Sequence, residues 1–173
     1  ASATALPFRD GAFDAALAVL TVHHWPDRAR GLAELRRVAR DRVVILTWIP
    51  DAASFWLVDD YFPALAVADR ALFDSLEALG RLLGPLDVRA VPIPHDCVDG
   101  FLGAYWRRPE AYLDAAVRGA MSTFTRIDTE RGVARLRSDL ADGTWRRRHG
   151  ALIERDALDL GYRMVIARGA GAA

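Results

Sequence analysis

The segment that most constrains the fold is a short apolar run that ends in two histidines. It lies within Phe13–Asp27, FDAALAVLTVHHWPD, where Ala15–Leu20 are all small or branched apolar residues. The run has the length of one strand and is too short to cross a membrane. Because it shows no polar alternation, it predicts a strand from Phe13 to Val22 that is buried on both faces. The histidines then lie at its carboxyl end, where open α/β sheets bind ligands.

The residues after this strand predict a parallel βαβ unit. Pro26 and Asp27 are typical of a helix start, and apolar residues at helical spacing continue to about Arg40. Val43–Ile49 is a second apolar run of strand length, and Pro50 closes it. Two strands joined by one helix and short loops are expected to be parallel neighbours with a right-handed crossover.

The rest of the chain predicts further helices and a mixed sheet. Residues 72–83 carry the apolar spacing of one amphipathic helix. Residues 86–93 are strand-like, with a proline that is typical of an edge strand or a strand end. Residues 95–150 are predicted to be helical. The last element, 158–167, alternates in polarity as a strand does, and its apolar face consists of Leu158, Leu160, Tyr162, Met164 and Ile166.

The composition is that of an ordinary globular protein and excludes several classes. The 173 residues are enough for one domain with a core, and 52% are hydrophobic and 27% charged. The formal net charge is zero, so general attraction to nucleic acid or to an acidic membrane is not implied. No apolar run approaches the length of a membrane helix. Cys97 is the only cysteine, so no internal disulfide forms, which predicts a cytoplasmic protein.

The stretch Ala5–Asp27, ALPFRDGAFDAALAVLTVHHWPD, resembles the middle of a class I S-adenosylmethionine-dependent methyltransferase of the small-molecule, type 11-like kind. The helix GLAELRRVAR and the strand VVILTWIP match the elements that follow in that family. The resemblance is specific over residues 1–50 and weaker from there to residue 168. It implies a Rossmann-like α/β sheet with an antiparallel last strand and a helical insertion before it. It also implies methyl transfer from S-adenosylmethionine to a small-molecule acceptor.

The resemblance assigns each part of the chain to a part of that fold. The family's N-terminal strands and its glycine-rich cofactor turn are missing from this sequence, so the fragment alone is expected to be inactive. The assignments are 1–50 to the C-terminal half of the cofactor core, with its fourth and fifth strands; 51–69 to an aromatic cover segment; 70–94 to a helix and strand of the core; 95–156 to a helical substrate-cover insertion; and 157–173 to the last strand and tail.

The same resemblance implies a set of site residues. His23 is the candidate catalytic residue, since imidazole is a common general base near neutral pH. The candidate cofactor contacts, by position, are Ser2, Ala3, Thr4, Val19, Leu20 and His24. Candidate substrate contacts come from the aromatic segments and from an arginine that can hold a carboxylate; they are Trp48, Trp56, Tyr61, Tyr105, Trp106 and Arg107.

Other interpretations of these residues stay open at this point. The two histidines can simply cap a strand, and the aromatic residues can be core. His95, Asp96 and Cys97 fit no standard zinc spacing, and the three arginines 146–148 are best interpreted as a solvated helix end.

The alternative function is a non-catalytic, truncated fold that acts, if at all, through association. Whichever function holds, the absence of the family's first strand leaves the strand at 15–20 as an unpaired apolar edge, which predicts a homodimer or other association through that edge.

Overall fold

The computed structural model describes residues 1–49 and 51–170, which group into two compact units. The first unit comprises 1–49, 72–91 and 161–170. The second comprises 51–71 and 92–160. No helix among the described residues is long and apolar enough to cross a membrane.

The first unit is built on a four-stranded mixed sheet, whose strands lie in the order β1 (Phe13–Val19), β2 (Ala39–Trp48), β6 (Tyr162–Arg168) and β3 (Leu86–Ala90). Strands β1 and β2 are parallel, and β6 runs antiparallel to both β2 and β3. This confirms the predicted α/β class, the parallel front pair and the antiparallel last strand. The elements are β1 (Phe13–Val19), α1 (Arg28–Val38), β2 (Ala39–Trp48), α3 (Leu76–Leu83), β3 (Leu86–Ala90) and β6 (Tyr162–Arg168).

Local sequence explains the βαβ unit at the front of the sheet. The Asp27 carboxylate accepts a hydrogen bond from the Arg30 amide at 2.9 Å and so caps α1, as the sequence predicts. Helices α1 and α3 pack on one face of the sheet and form a single apolar core with it. The sheet contributes small and branched residues to this core: Ala16, Ala18, Val43, Ile45, Val165 and Ala167.

The prediction that the first strand is buried on both faces is wrong. Ala16 and Ala18 are buried, but Leu17 is 65% exposed and Val19 is 49% exposed. In the first unit, α1 and α3 pack on the face that carries Ala16 and Ala18, and the side chains that alternate onto the other face are exposed. The strand also ends at Val19 rather than Val22, because Val22–His24 form a 3₁₀ turn.

The last strand is shorter than predicted and buries side chains of the opposite set. The sequence places one apolar face over 158–167, but Gly161, with φ +89°, interrupts the run. Beyond the break, Val165 and Ala167 face the core and Met164 is 36% exposed. The register decides this, since Val165 lies opposite Ile45 and Ala167 opposite Val43. A β-carbon at residue 161 would lie 2.7 Å from the Ile49 carbonyl oxygen, so glycine suits this break.

Two further element boundaries differ from prediction. The helix predicted over 72–83 begins later than predicted, because Ser75 caps α3 through the Ala78 amide and α3 starts at Leu76. A separate helix, α2 (Pro63–Leu72), lies mostly within the aromatic cover segment predicted over 51–69 and ends at Leu72. The strand predicted over 86–93 is β3 alone. Ile93–Pro94 instead forms β4, which pairs in the second unit with β5 (Ala157–Leu158). The proline predicted an edge strand or a strand end: β3 lies at the edge of the described sheet, and Pro92 lies just beyond its last residue.

The second unit consists of short helices around an aromatic core. Besides most of α2, it contains α4 (Ala115–Gly119), α5 (Glu130–Ala141) and α6 (Thr144–His149). A π-helical turn spans Leu57–Tyr61, and 3₁₀ turns span Pro109–Leu113, Phe124–Arg126 and Gly150–Glu154. The prediction of helix over 95–150 is therefore correct only in part, since residues 95–108 form turns without a helix.

Candidate functional site

The carboxyl ends of β1 and β2 lie at one edge of the sheet, since the two strands are parallel. The chain leaves β1 through a tight turn at Leu20, whose amide donates a 2.8 Å hydrogen bond to the Leu46 carbonyl. Leu20 has φ 45° and is the one non-glycine residue of the described chain in the left-handed region. This conformation costs about 1–2 kcal/mol for such a residue, and strain of this kind concentrates at functional sites.

Five ring systems follow one another at this edge of the first unit. The His23 and His24 rings are 3.9 Å apart, and the His23 ring lies 4.3 Å from the Phe73 ring. Phe73 in turn lies 5.6 Å from Trp48, whose ring is 6.4 Å from that of Tyr162. The structure thus brings His23, His24 and Trp48, which the sequence proposed separately, into one polar and aromatic cluster.

Phe73 and Tyr162 are the members of this cluster that sequence reasoning missed. Both were assigned to apolar faces, Phe73 to a helix and Tyr162 to the last strand. Phe73 instead lies in the break between α2 and α3, and Tyr162 pairs with Trp48 across the antiparallel β2–β6 ladder. A break signal was present in the sequence at Ser75, which is a typical helix cap.

The N-terminal residues form a polar turn that is attached to α1. The Ser2 and Thr4 hydroxyls are 2.8 Å apart, and the Thr4 carbonyl accepts a 2.8 Å bond from the Arg30 Nε. Arg37 then holds the following segment through the Leu6 and Phe8 carbonyls. The turn that contains the candidate cofactor residues Ser2, Ala3 and Thr4 is therefore positioned by arginines of one helix.

The ion pair beneath this segment is strong. Arg37 also contacts the Glu34 carboxylate at 2.7 Å, and that carboxylate accepts the Leu6 amide at 2.8 Å. The Arg37 hydrogen bond, followed by the Leu6 amide bond, lowers the pKa of Glu34 to about 2. The pKa of Arg37 is raised by its hydrogen bonds to Glu34 and Asp10. Both groups therefore stay charged across the ordinary pH range.

Three of the predicted substrate contacts lie in the core of the second unit. Trp56, Tyr61 and Trp106 are all buried. The Trp56 Nε1 donates to the Trp106 carbonyl at 3.0 Å, the Trp106 Nε1 donates to the Ile93 carbonyl at 3.0 Å, and the Tyr61 hydroxyl bonds Asp139 at 2.8 Å. These bonds show what the three side chains do in packing. Their contact with a substrate stays a prediction.

The other two predicted contacts are more accessible. The Tyr105 ring stacks under the Arg108 guanidinium at 4.8 Å. Arg107 donates to the Arg155 carbonyl at 3.2 Å. Both side chains are partly exposed and belong to the second unit. No group of three or more His, Cys, Asp or Glu side chains within 1–49 and 51–170 is arranged to hold a metal ion.

Comparison with known proteins agrees with this fold. The family model described as a methyltransferase domain matches residues 1–47, which include β1, the two histidines and most of β2. A solved structure from Anabaena variabilis ATCC 29413, described as a candidate methyltransferase from an antibiotic biosynthesis pathway, is 34% identical, with a TM-score of 0.83. The similarity covers 95% of this chain and 70% of that one.

Two further solved structures are more distant. The YcgJ protein of a Bacillus species is 15% identical with a TM-score of 0.45, and the similarity covers 98% of this chain and 69% of that one. A Haemonchus contortus N-methyltransferase, solved with phosphomonomethylethanolamine and S-adenosylhomocysteine, is 12% identical with a TM-score of 0.44, over 97% and 36% of the two chains. Neither similarity bears on the substrate of this chain.

The mixed sheet, its parallel front pair and its antiparallel last strand define a methyltransferase fold of class I. The chain belongs to the class I S-adenosylmethionine-dependent methyltransferase family.

Proposed function

We propose that this protein transfers a methyl group from S-adenosylmethionine to a small-molecule acceptor. The observation that carries the proposal is the cluster at the carboxyl end of β1, where a strained Leu20 turn and two adjacent imidazoles meet the Phe73 and Trp48 rings. This is the edge at which open α/β sheets bind ligands. The residues of the family match include Leu20 and both histidines.

The residues present fit part of the cofactor. The cofactor supplies a methyl group on a cationic sulfur, which reacts by in-line displacement. The polar turn Ser2–Thr4 offers hydroxyl and backbone groups for the adenine, and the strand end Val19–Leu20 offers backbone for the methionine portion. His24 is exposed beside that strand end and supplies a further polar contact. The similarity covers 70% of the Anabaena chain. We propose that residues outside the present chain complete the cofactor site.

His23 is the residue that we propose for proton transfer. Its ring lies between those of His24 and Phe73, which limits its orientations. A positioned imidazole can accept the proton of a hydroxyl acceptor as the bond to the methyl group forms, whereas a carboxylate acceptor needs no base. Holding acceptor and donor in line supplies most of the acceleration in such a reaction. The aromatic rings beside His23 favour an acceptor with an apolar body.

Calorimetric titration of S-adenosylmethionine tests the cofactor part of this proposal. We expect binding too weak to measure in the 173-residue chain, because its residues supply only part of the contacts. A longer form of the protein that completes the site is expected to bind with a dissociation constant of about 1–100 μM, a gain of several kcal/mol. Equal, tight binding by both forms would show that the contacts outside this chain are not needed. No binding by either would overturn the proposal.

A second proposal, association through β1, rests on the exposure of that strand. Among the described strands β1 pairs only with β2, and its open face carries Leu17. A flat apolar edge of this kind is a template for pairing with another chain. We propose that the isolated chain forms dimers or larger assemblies through this strand.

Leu17→Glu is expected to weaken that association at least about tenfold, since it places two like charges at the contact and removes about 1.5–3 kcal/mol of apolar burial per chain. Sedimentation velocity over a concentration series measures the effect. Val67→Glu is the matched control, because Val67 is 68% exposed in the second unit and should leave association unchanged. A wild-type chain that remains monomeric at all concentrations would contradict the proposal.

A further inference from the structure

The second unit contains a cavity of about 400 Å³ that no part of the sequence analysis identified. We call it the Asp60–His149 cavity. Its size falls within the range of small-molecule sites. Its lining combines an apolar wall with several polar groups, and the lining residues are Ser54, Trp56, Asp59, Asp60, Arg148, His149, Ala151, Leu152 and Leu158.

A hydrogen-bonded triad forms the polar side of the cavity. The Asp60 carboxylate lies 2.7 Å from the His149 Nε2 through one oxygen and 2.7 Å from the Arg148 guanidinium through the other. The side chains of Asp60 and His149 are only 16% and 17% exposed. Asp60 thus has a cationic partner in Arg148, and its second oxygen is directed to the imidazole.

The His149 ring is held in place from several sides. Trp56 and Trp145 both lie 5.8 Å from it, with ring planes tilted by 35° and 50°. The Asp60 carboxylate can only accept, so the His149 Nε2 is the donor in this hydrogen bond and carries a proton. The Nδ1 atom makes no hydrogen bond within the described part of the chain. A fixed imidazole with one nitrogen engaged leaves the other as an acceptor for a ligand hydroxyl.

The charges of the lining set a preference for ligand charge. Arg148 is engaged by Asp60, so the two balance each other. Asp59 is exposed, and the only polar contact of its carboxylate among the described residues is the Ser54 hydroxyl. The cavity therefore carries one anionic group without a cationic partner, which favours a cationic ligand over an anionic one.

We propose that the Asp60–His149 cavity binds a small molecule with an apolar body, a hydroxyl group that donates to His149 and an amine that pairs with Asp59. Trp56, Leu152 and Leu158 supply the apolar wall. All nine lining residues belong to the second unit, and one of them, Trp56, is also a predicted substrate contact.

Three phenols of similar size test the proposal by NMR titration of the isotope-labelled chain: tyramine, phenol and 4-hydroxyphenylacetate. We expect saturable shifts of the amides of 54–60 and 148–152. Tyramine is expected to bind about three- to tenfold more tightly than phenol, and 4-hydroxyphenylacetate more weakly than phenol, since an exposed charge pair contributes up to about 1 kcal/mol. Absence of saturable shifts with all three probes, or tightest binding of the carboxylate, would overturn the proposal.

Variants separate this site from general surface binding. Ala151→Trp is expected to abolish binding, because Ala151 is exposed and lines the cavity, so a larger side chain fills it without entering the core. Ala134→Trp is the matched control at an exposed alanine outside the cavity, and should bind as the wild type does.

Two substitutions address the ligand groups. Asp59→Asn should remove the preference for tyramine over phenol, and His149→Phe should weaken phenol about three- to tenfold, the value of one hydrogen bond. Unchanged binding in Ala151→Trp, or an unchanged preference in Asp59→Asn, would refute the site as described.

Discussion

Trp106→Ala is expected to destabilise the second unit by about 3–5 kcal/mol, the usual cost of truncating a buried tryptophan. Trp106 is fully buried, its Nε1 donates to the Ile93 carbonyl, and its own carbonyl accepts the Trp56 indole. The substitution leaves a large cavity and deprives a buried carbonyl of its donor. Urea unfolding followed by circular dichroism measures the change in free energy of unfolding.

A conservative variant and an exposed-site control accompany Trp106→Ala. Trp106→Phe keeps most of the ring but loses the indole donor, and is expected to cost about 1–2 kcal/mol. Val98→Ala is the control, because Val98 is 97% exposed and should change stability by less than about 0.5 kcal/mol. A cost below about 1 kcal/mol for Trp106→Ala would contradict the packing role seen here and would favour the predicted role in substrate contact.

The second large effect is expected at Asp69, a buried carboxylate on α2. The side chain is fully buried, and neither oxygen accepts a hydrogen bond of good geometry from the described residues. Burial raises the pKa of Asp69 to about 6, against the opposing influence of the Thr123 hydroxyl and the Arg126 charge. The folded state therefore binds the proton more tightly than the unfolded state does.

The sign of the pH effect follows from this difference. Between the ordinary pKa of 3.8 and the raised value of about 6, the unfolded state ionises before the folded state, so the free energy of unfolding falls as pH rises. The shift corresponds to about 3 kcal/mol in total, all of it lost above pH 6. Asp69→Asn removes this pH-dependent loss of stability, because asparagine does not ionise. The buried amide of asparagine still lacks hydrogen-bond partners, so part of the cost of burying a polar group remains.

Asp69→Asn is accordingly expected to leave stability nearly unchanged at pH 4 and to raise it by about 2 kcal/mol at pH 7.5. Urea unfolding at both pH values, with tryptophan fluorescence from Trp56, Trp106 and Trp145 as the probe, measures this difference. The exposed Asp96 provides the control, since Asp96→Asn should show no pH-dependent gain. An equal effect of Asp69→Asn at both pH values would refute the assigned ionisation.

Much of the first unit could be predicted because its signals are local. The Asp27 cap, the helical spacing after it and the two apolar runs depend on neighbours in sequence, and they gave the parallel βαβ unit. The resemblance over the same residues gave the family. Serine is a typical helix cap, yet the apolar spacing alone predicts a helix from residue 72, three residues before the Ser75 cap of α3.

The candidate site could be predicted only in part, for a related reason. His23, His24 and Trp48 lie at or just after the carboxyl ends of two apolar runs, and those runs are recognisable in the sequence alone. Phe73 joins them only because the chain returns to the first unit at residue 72, which is a long-range event. The Asp60–His149 pair spans 89 positions, and no spacing rule connects two such residues.

The sequence by itself determined the order of the elements in the first unit, the α/β class and the strand end at which the histidines stand, because cap, turn and periodicity signals act over a few residues. Only the tertiary structure decided which faces are buried. Leu17 and Val165 are both apolar residues of strands, yet one is in solvent and the other in the core. The side on which α1 and α3 pack makes that difference, and it depends on contacts between residues far apart in the chain.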